Sequence, residues 1–480
     1  MTDPRTAFDA DASPHAAQAF ANLILQFLSE SAAGHGPVSS GAQPLALAAR
    51  FDEPLPHTGQ ELAAVLGRVR RDILADANHL SHPMYVGHQV AAPLAVGVWT
   101  DALIGAVNNS LAVNEMSPTL SHVERRVVRW MCDLVGWDDR SGGTFASGGT
   151  EASFTALLAA RAVAMPNAWE QGVGATPPVM LCGGHTHYAV SRAAGELGLG
   201  MRSVITLPDE SYRLSPAALG ARLAELRRNG RPVLAVVATA GQTATGAFDD
   251  LAAIGSICQE FGVWLHVDGA HGATALLSER HRHRMRGIEL ASSLAWDPHK
   301  MMFLPLAAGM VLVRDARWLD AAFTQHAPYL FSDAAGAEDW NIGLRSFQCS
   351  RRADALKVWV ALQRHGAAGI AALYDLVCEL TTTMHTLLTA HPRFEPLHDP
   401  ECNILCFRWV GDGTLPEDRL NTLNDALREQ YNASGDGWIT ATVLNTQRVL
   451  RVTIMNPRTT TAHLQQLFSG LDRHARALVQ

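Results

Sequence analysis

Lysine is nearly absent from this chain of 480 residues. Its 38 basic residues include only two lysines, Lys300 and Lys357; the others are arginines. Arginine stays protonated and cannot condense with an aldehyde, whereas a partly desolvated lysine can lose its proton and act as a nucleophile. The two lysines mark where a primary amine is to be sought, although biased codon usage would leave the same count. Long apolar runs are missing as well. Met301–Val313 is among the longest and is broken by Pro305 and Gly309, which excludes a bilayer-spanning helix. The seven cysteines (Cys132, Cys182, Cys258, Cys349, Cys378, Cys402 and Cys406) form no Cys-x-x-Cys pair. Their odd number reads as buried free thiols in a reducing compartment. Met1 to Pro14 lacks a basic segment followed by an apolar run, so a cytoplasmic location is expected rather than secretion. A net charge of −8 with pI ≈ 6.2 provides no general attraction to nucleic acid or to an anionic membrane.

What is present suffices for a large globular core, since 48% of the residues are hydrophobic. Residues 15 to 75 read as amphipathic helices separated by Pro/Gly-rich breaks, for example Ala16–Leu28 and Glu61–Leu74. A helical pattern runs from Ser121 to Gly136. Short apolar runs then alternate with helical segments: Val179–Cys182, Ser203–Leu207, Val233–Thr239, Val263–Val267, Ser293–Ala295 and Gly309–Val313. Such alternation predicts a mostly parallel α/β sheet. Beyond it lie helices at Ala353–Arg364 and Ala367–Ala390, a strand at Asn403–Trp409, and a helix at Pro416–Tyr431. A strand pair at Gly437–Leu444 and Val449–Met455 and a last helix from Thr461 complete a smaller α+β unit.

Three short motifs carry chemistry. Ser147-Gly148-Gly149-Thr150-Glu151 opens a helix, where close backbone approach, free N–H groups and the helix dipole suit a phosphate. It lacks the Gly-Lys-Ser/Thr ending of a nucleotide loop, and taken alone such a run more often means a turn with a helix cap. Val263–Val267 delivers Asp268 to the carboxyl end of a strand, the edge at which parallel sheets bind ligands; a turn-forming Asp is an equal alternative. Trp296-Asp297-Pro298-His299-Lys300 places one of the two lysines after another apolar run, among Leu294, Met301, Met302, Phe303 and Leu304. His299 could donate to a phosphate there. The His185/His187 and His281/His283 pairs lack companion ligands, so no metal site is expected.

A phosphate loop, a strand-end acid and a His-Lys pair, in that order, match the needs of pyridoxal 5'-phosphate (PLP). The chain resembles the group II PLP-dependent amino acid decarboxylases, a family that includes glutamate, aromatic amino acid and diaminobutyrate decarboxylases. The resemblance runs from about His82 to Leu467. It rests on His82–Tyr85, Glu115–Pro118, Ser147–Ala152, His185–Tyr188, Ala238–Asp250, His266–Gly272, Asp297–Lys300, Ser350–Arg352 and Arg451–Pro457. It implies a fold type I α/β enzyme with a mostly parallel seven-stranded central sheet. Residues 1–80 would form a helical arm for dimerisation, 81–345 the large PLP-binding domain and 346–480 a small C-terminal α+β domain. Lys300 would be the Schiff-base lysine and Asp268 the partner of the pyridine nitrogen. His187 would stack on one ring face and Ala270 pack on the other. Gly149, Thr150 and His299 match phosphate contacts, and Thr243 a hydroxyl near the ring. Arg451 matches an arginine that meets a substrate carboxylate, and His88 is a substrate-side candidate.

The implied reaction is decarboxylation of an L-amino acid to an amine and CO₂ by a homodimer with composite active sites. One departure from the family pattern bears on this. Many members place a tyrosine in a mobile loop, but Ser332–Ser350 contains Trp340 and no tyrosine, with Tyr329 just before it. A decarboxylating aldehyde synthase or oxidase, or an aminotransferase on the same fold, is therefore the alternative. A non-catalytic scaffold is a third reading, against which the intact Asp268, His299 and Lys300 speak. Clues to the substrate conflict: Arg451 suits an acidic side chain, whereas His82–Glu124 looks diaminobutyrate-like.

Overall fold

A computed structural model describes residues 4–323 and 340–479. The chain divides into two compact units. One comprises Gln89–Thr381 with His398–Leu405; the other comprises Met1–His88, Thr382–Leu397 and Cys406–Gln480.

The first unit is built on nine strands: β1 (Gly142–Ala146), β2 (Val179–Gly183), β3 (Val204–Leu207), the short hairpin β4 (Asp209–Glu210) and β5 (Arg213–Leu214), β6 (Val233–Thr239), β7 (Trp264–Asp268), β8 (Ser293–Trp296) and β9 (Gly309–Val313). Seven of them form one sheet in the order β1-β9-β8-β7-β6-β2-β3. Only β9 runs against its neighbours β1 and β8; the pairs from β8 through to β3 are parallel. The expected mostly parallel seven-stranded sheet is thus present. β7 is central, and its apolar run is buried on both faces, as a parallel strand covered by helices must be.

Small residues let the helix Gly149–Ala164 lie close against this sheet. Its Ala152, Ala156, Ala159 and Ala160 are buried with Leu157 against Met180, Ala235, Val237, Ala295 and Val311. The strand register brings Thr239, Asp268 and Ala295 level at the carboxyl ends of β6, β7 and β8. The segment Trp296–Lys300 therefore leaves the sheet beside the end of the Asp268 strand. β1 was not apparent in the sequence, because a Gly-Gly start has low strand propensity. The glycine is required here: a Cβ on Gly143 would fall 2.3 Å from the Val311 carbonyl oxygen.

The second unit contains a four-stranded sheet of β10 (Phe394–Pro396), β11 (Ile404–Trp409), β12 (Thr440–Leu444) and β13 (Gln447–Thr453), in the order β10-β11-β13-β12. The helices Glu417–Ser434 and Thr461–Val479 bury Leu420, Leu427 and Tyr431, and Leu464, Phe468 and Leu471. Residues 81–88, expected with the large domain, group with this unit instead. Backbone bonds explain the difference: Val86 N–H donates to the Trp438 carbonyl, Trp438 N–H to Met84, and Thr453 N–H to Val86. The Asn456 and Thr459 side chains add bonds to the Ser81 and Pro83 carbonyls. The N-terminal helices Pro14–Ala32, Pro44–Arg50 and Leu62–Arg68 leave Phe20, Leu25, Leu45 and Val65 exposed. The two helices expected on either side of residue 365 form Ala355–Ala390, broken at Gly366. Among the described residues no helix is long and apolar enough to cross a membrane.

Candidate active site

One carboxylate organises the carboxyl edge of the sheet. Asp297 Oδ2 lies 3.0 Å from Lys300 Nζ and 3.4 Å from His299 Nε2, and it accepts the Gly149 N–H at 3.0 Å. Asp297 is 1% exposed, and its Oδ1 is buried without a hydrogen-bond partner among the described residues. The motif by itself assigns Asp297 no role. Its spacing of three residues from Lys300, within a run already noted, was the available signal.

Lys300 is held on a tight turn, its N–H bonded to the Asp297 carbonyl, while its side chain stays 21% exposed. His299 is clamped from both sides by Ala308, which accepts its backbone N–H and donates to its Nδ1, each at 3.1 Å. In the neutral ring the proton must therefore sit on Nε2, on the side of Asp297 and Gly148. Burial lowers the pKa of this imidazole, with the Asp297 carboxylate acting in the opposite sense. Gly148 and Gly149 shape the adjoining cradle. A Cβ on Gly149 would stand 2.8 Å from the Ala270 Cβ, and one on Gly148 would stand 3.2 Å from His299 Cε1. Thr150 follows in the first turn of the helix.

Asp268 ends β7 and accepts the Ala270 N–H at 3.2 Å. Burial pushes its carboxyl pKa up, and the nearby Lys300 and His187 pull it back. His187 lies in the turn after β2, and its Nδ1 accepts the Ala189 N–H at 3.3 Å. Burial lowers its pKa; Asp268 opposes that shift and Lys300 reinforces it. Lys300, Asp268, His187, His299, Gly149 and Ala270 are thus gathered in one neighbourhood. Thr243 sits in the turn after β6, at the same sheet edge.

His88 and Arg451 belong to the other unit. There the Arg451 Nε donates to Thr440 Oγ1 at 3.1 Å, and burial together with Arg451 and Arg428 depresses the His88 imidazole. Tyr329 and residues 332–339 lie outside the described residues. Lys357, the other lysine, is wholly buried and ion-paired with Asp354 at 2.9 Å.

Residues 44–410 match the pyridoxal-dependent decarboxylase conserved domain. The chain is 34% identical to an L-2,4-diaminobutyrate decarboxylase of Rhizobium meliloti (strain 1021), over 96% of this chain and 92% of the relative. It is 30% identical to an aromatic-L-amino-acid decarboxylase of Bacillus atrophaeus, over 90% of this chain and 89% of that one. The crystal structure of mouse CSAD superposes with a TM-score of 0.89 at 27% identity, covering 96% of this chain and 99% of that one. The chain belongs to the pyridoxal-dependent decarboxylase family. It is a PLP-dependent carboxy-lyase acting on an amino acid, as the sequence motifs led us to expect, and decarboxylation is favoured over the oxidative and aminotransferase alternatives.

The residues present fit the cofactor. A cradle that a single Cβ would fill, a half-buried helix start, a buried strand-end acid and a partly open lysine supply the donor set that PLP requires.

Proposed function

We propose that Lys300, Asp268 and His187 carry the decarboxylation, and that Gly149, Thr150 and His299 hold the phosphate. Bound PLP supplies an aldehyde that takes up an amine and a protonated ring that accepts the electron pair left as CO₂ departs. The observation that carries the assignment is the contact of Lys300 with Asp297 at the start of the Gly149–Ala164 helix, beside Asp268.

Lys300 provides the primary amine, which lies against Asp297. Asp268 keeps the pyridine nitrogen protonated, and its burial strengthens that charge pair. His187 and Ala270 would hold the ring from its two sides. Gly149, whose own N–H is taken by Asp297, would bring the backbone close to the phosphate, and the Thr150 hydroxyl and His299 Nε2–H would offer donors to it. Thr243 contributes a hydroxyl near the ring. By the family resemblance, Arg451 is assigned to a substrate carboxylate and His88 to the substrate side. We further propose a cytoplasmic homodimer in which the exposed apolar residues of the arm, Phe20, Leu25 and Leu45, are buried on the partner.

The test is an amine-release screen over the standard amino acids and L-2,4-diaminobutyrate. Relatives are named for decarboxylation of aromatic amino acids, of L-2,4-diaminobutyrate and of L-aspartate, so all three classes belong in it. Amine with stoichiometric CO₂ is expected; aldehyde with peroxide and ammonia, or a keto acid, would overturn the assignment. Sedimentation tests the dimer, and a full-length monomer that turns over normally removes it.

A further inference from the structure

Lys357 has no exposed surface, yet its ammonium is fully engaged. It donates to the Ala307 carbonyl at 2.6 Å and to the Pro305 carbonyl at 3.3 Å. Asp354 lies 2.9 Å and Asp101 3.3 Å from the same nitrogen. Asp101 also pairs with the Arg352 guanidinium at 2.7 Å. Burying an ammonium is costly, and an apolar side chain of similar volume would fill the space at least as well. What the charge secures is therefore to be sought in the groups it binds.

Those groups are the returning limb of the loop that carries Lys300. The outgoing limb is fixed by Asp297 N–H on the Ala270 carbonyl, and the tip by Leu94 N–H on the Phe303 carbonyl. The returning limb meets Lys357 at Pro305 and Ala307. The next residue, Ala308, makes both bonds that orient His299. A compact ammonium can reach two carbonyls two residues apart while facing two carboxylates; a guanidinium presents its donors in a fixed planar fork.

We propose that Lys357 is a positioning residue: by fixing the Pro305–Ala307 limb it holds Ala308 so that the His299 Nε2–H faces the phosphate cradle. The proposal rests on the reading of His299 as a phosphate ligand.

The experiment titrates apo-protein with PLP, following visible absorption, alongside thermal unfolding of the same apo-proteins. Lys357→Met should weaken PLP binding about tenfold, the size of one lost charge-assisted hydrogen bond. It should also unfold earlier, because Asp354 loses its partner. The double variant Lys357→Met/Asp354→Leu removes that stranded carboxylate and should recover the unfolding temperature. Its PLP affinity should stay weak. Wild-type affinity in the double variant overturns the proposal, and so does failure of both variants to fold, since Lys357 would then serve folding alone. Wild-type protein that takes up no PLP would instead remove the functional reading, and this inference with it.

Discussion

Lys300 Nζ and Asp297 Oδ2 lie 3.0 Å apart across a single turn of chain. The same oxygen takes the N–H of Gly149, so one buried acid joins the Lys300 amine to the start of the Gly149–Ala164 helix. Asp297 is 1% exposed, and an anion so placed is tolerable only where cations and donors surround it.

Borohydride treatment of the PLP-loaded enzyme should fix the cofactor to Lys300. Lys300→Ala should lower turnover by about a thousandfold or more, since covalent catalysis is then lost. Peptide mapping checks the attachment; label on Lys357 would sink the assignment.

Asp268→Asn should leave PLP bound while slowing turnover about a hundredfold or more, because a neutral amide no longer favours the protonated ring. Absorption spectra and steady-state rates are the measurements. A near-wild-type rate would make this carboxylate structural.

Arg351 and Glu124 form a buried ion pair, 5% and 1% exposed, in which Glu124 also accepts the Phe145 N–H and the Thr144 hydroxyl of β1. Arg351→Met should destabilise by about 3–5 kcal/mol, because Glu124 is left as an uncompensated buried charge. Adding Glu124→Leu should return part of that loss in urea unfolding. An unchanged midpoint for the single variant would contradict the pairing.

His266 is buried on β7 between Ser293 Oγ at 2.9 Å and Ser153 Oγ at 3.2 Å, and burial pushes its pKa down to about 3. The unfolded chain takes up a proton near the ordinary histidine value while the fold refuses it. The His266 contribution is therefore complete above pH ~6.5 and is lost as pH falls toward 3, by at most ~1.4 kcal/mol per pH unit. His266→Gln should flatten the stability profile between pH 6 and 4, measured by urea titration at each pH. A profile parallel to wild type would show that His266 is protonated in the fold.

Local pattern was enough for much of this protein. Apolar runs such as Val233–Thr239, bounded by turn residues, announced most strands of the large sheet, and the break at Gly366 was legible between two helical periods. The order Ser147–Glu151, Asp268, His299-Lys300 was enough to indicate a PLP site, because each group there needs a particular residue type. Resemblance, rather than spacing, supplied His187, Thr243 and Arg451. Tertiary structure decided the rest. β1 is a strand because its two glycines let it press against β9, a partner distant in sequence. Residues 81–88 belong with the C-terminal strands because their backbone bonds end there. Asp297 and Lys357 look alike in sequence, each a charge in an apolar run. Their different functions follow from partners brought by the fold: the Gly149 amide and Lys300 for Asp297, and the Pro305 and Ala307 carbonyls for Lys357. Propensity and periodicity act over a few neighbouring residues, whereas the cost of burying a charge is met by groups that only chain folding assembles.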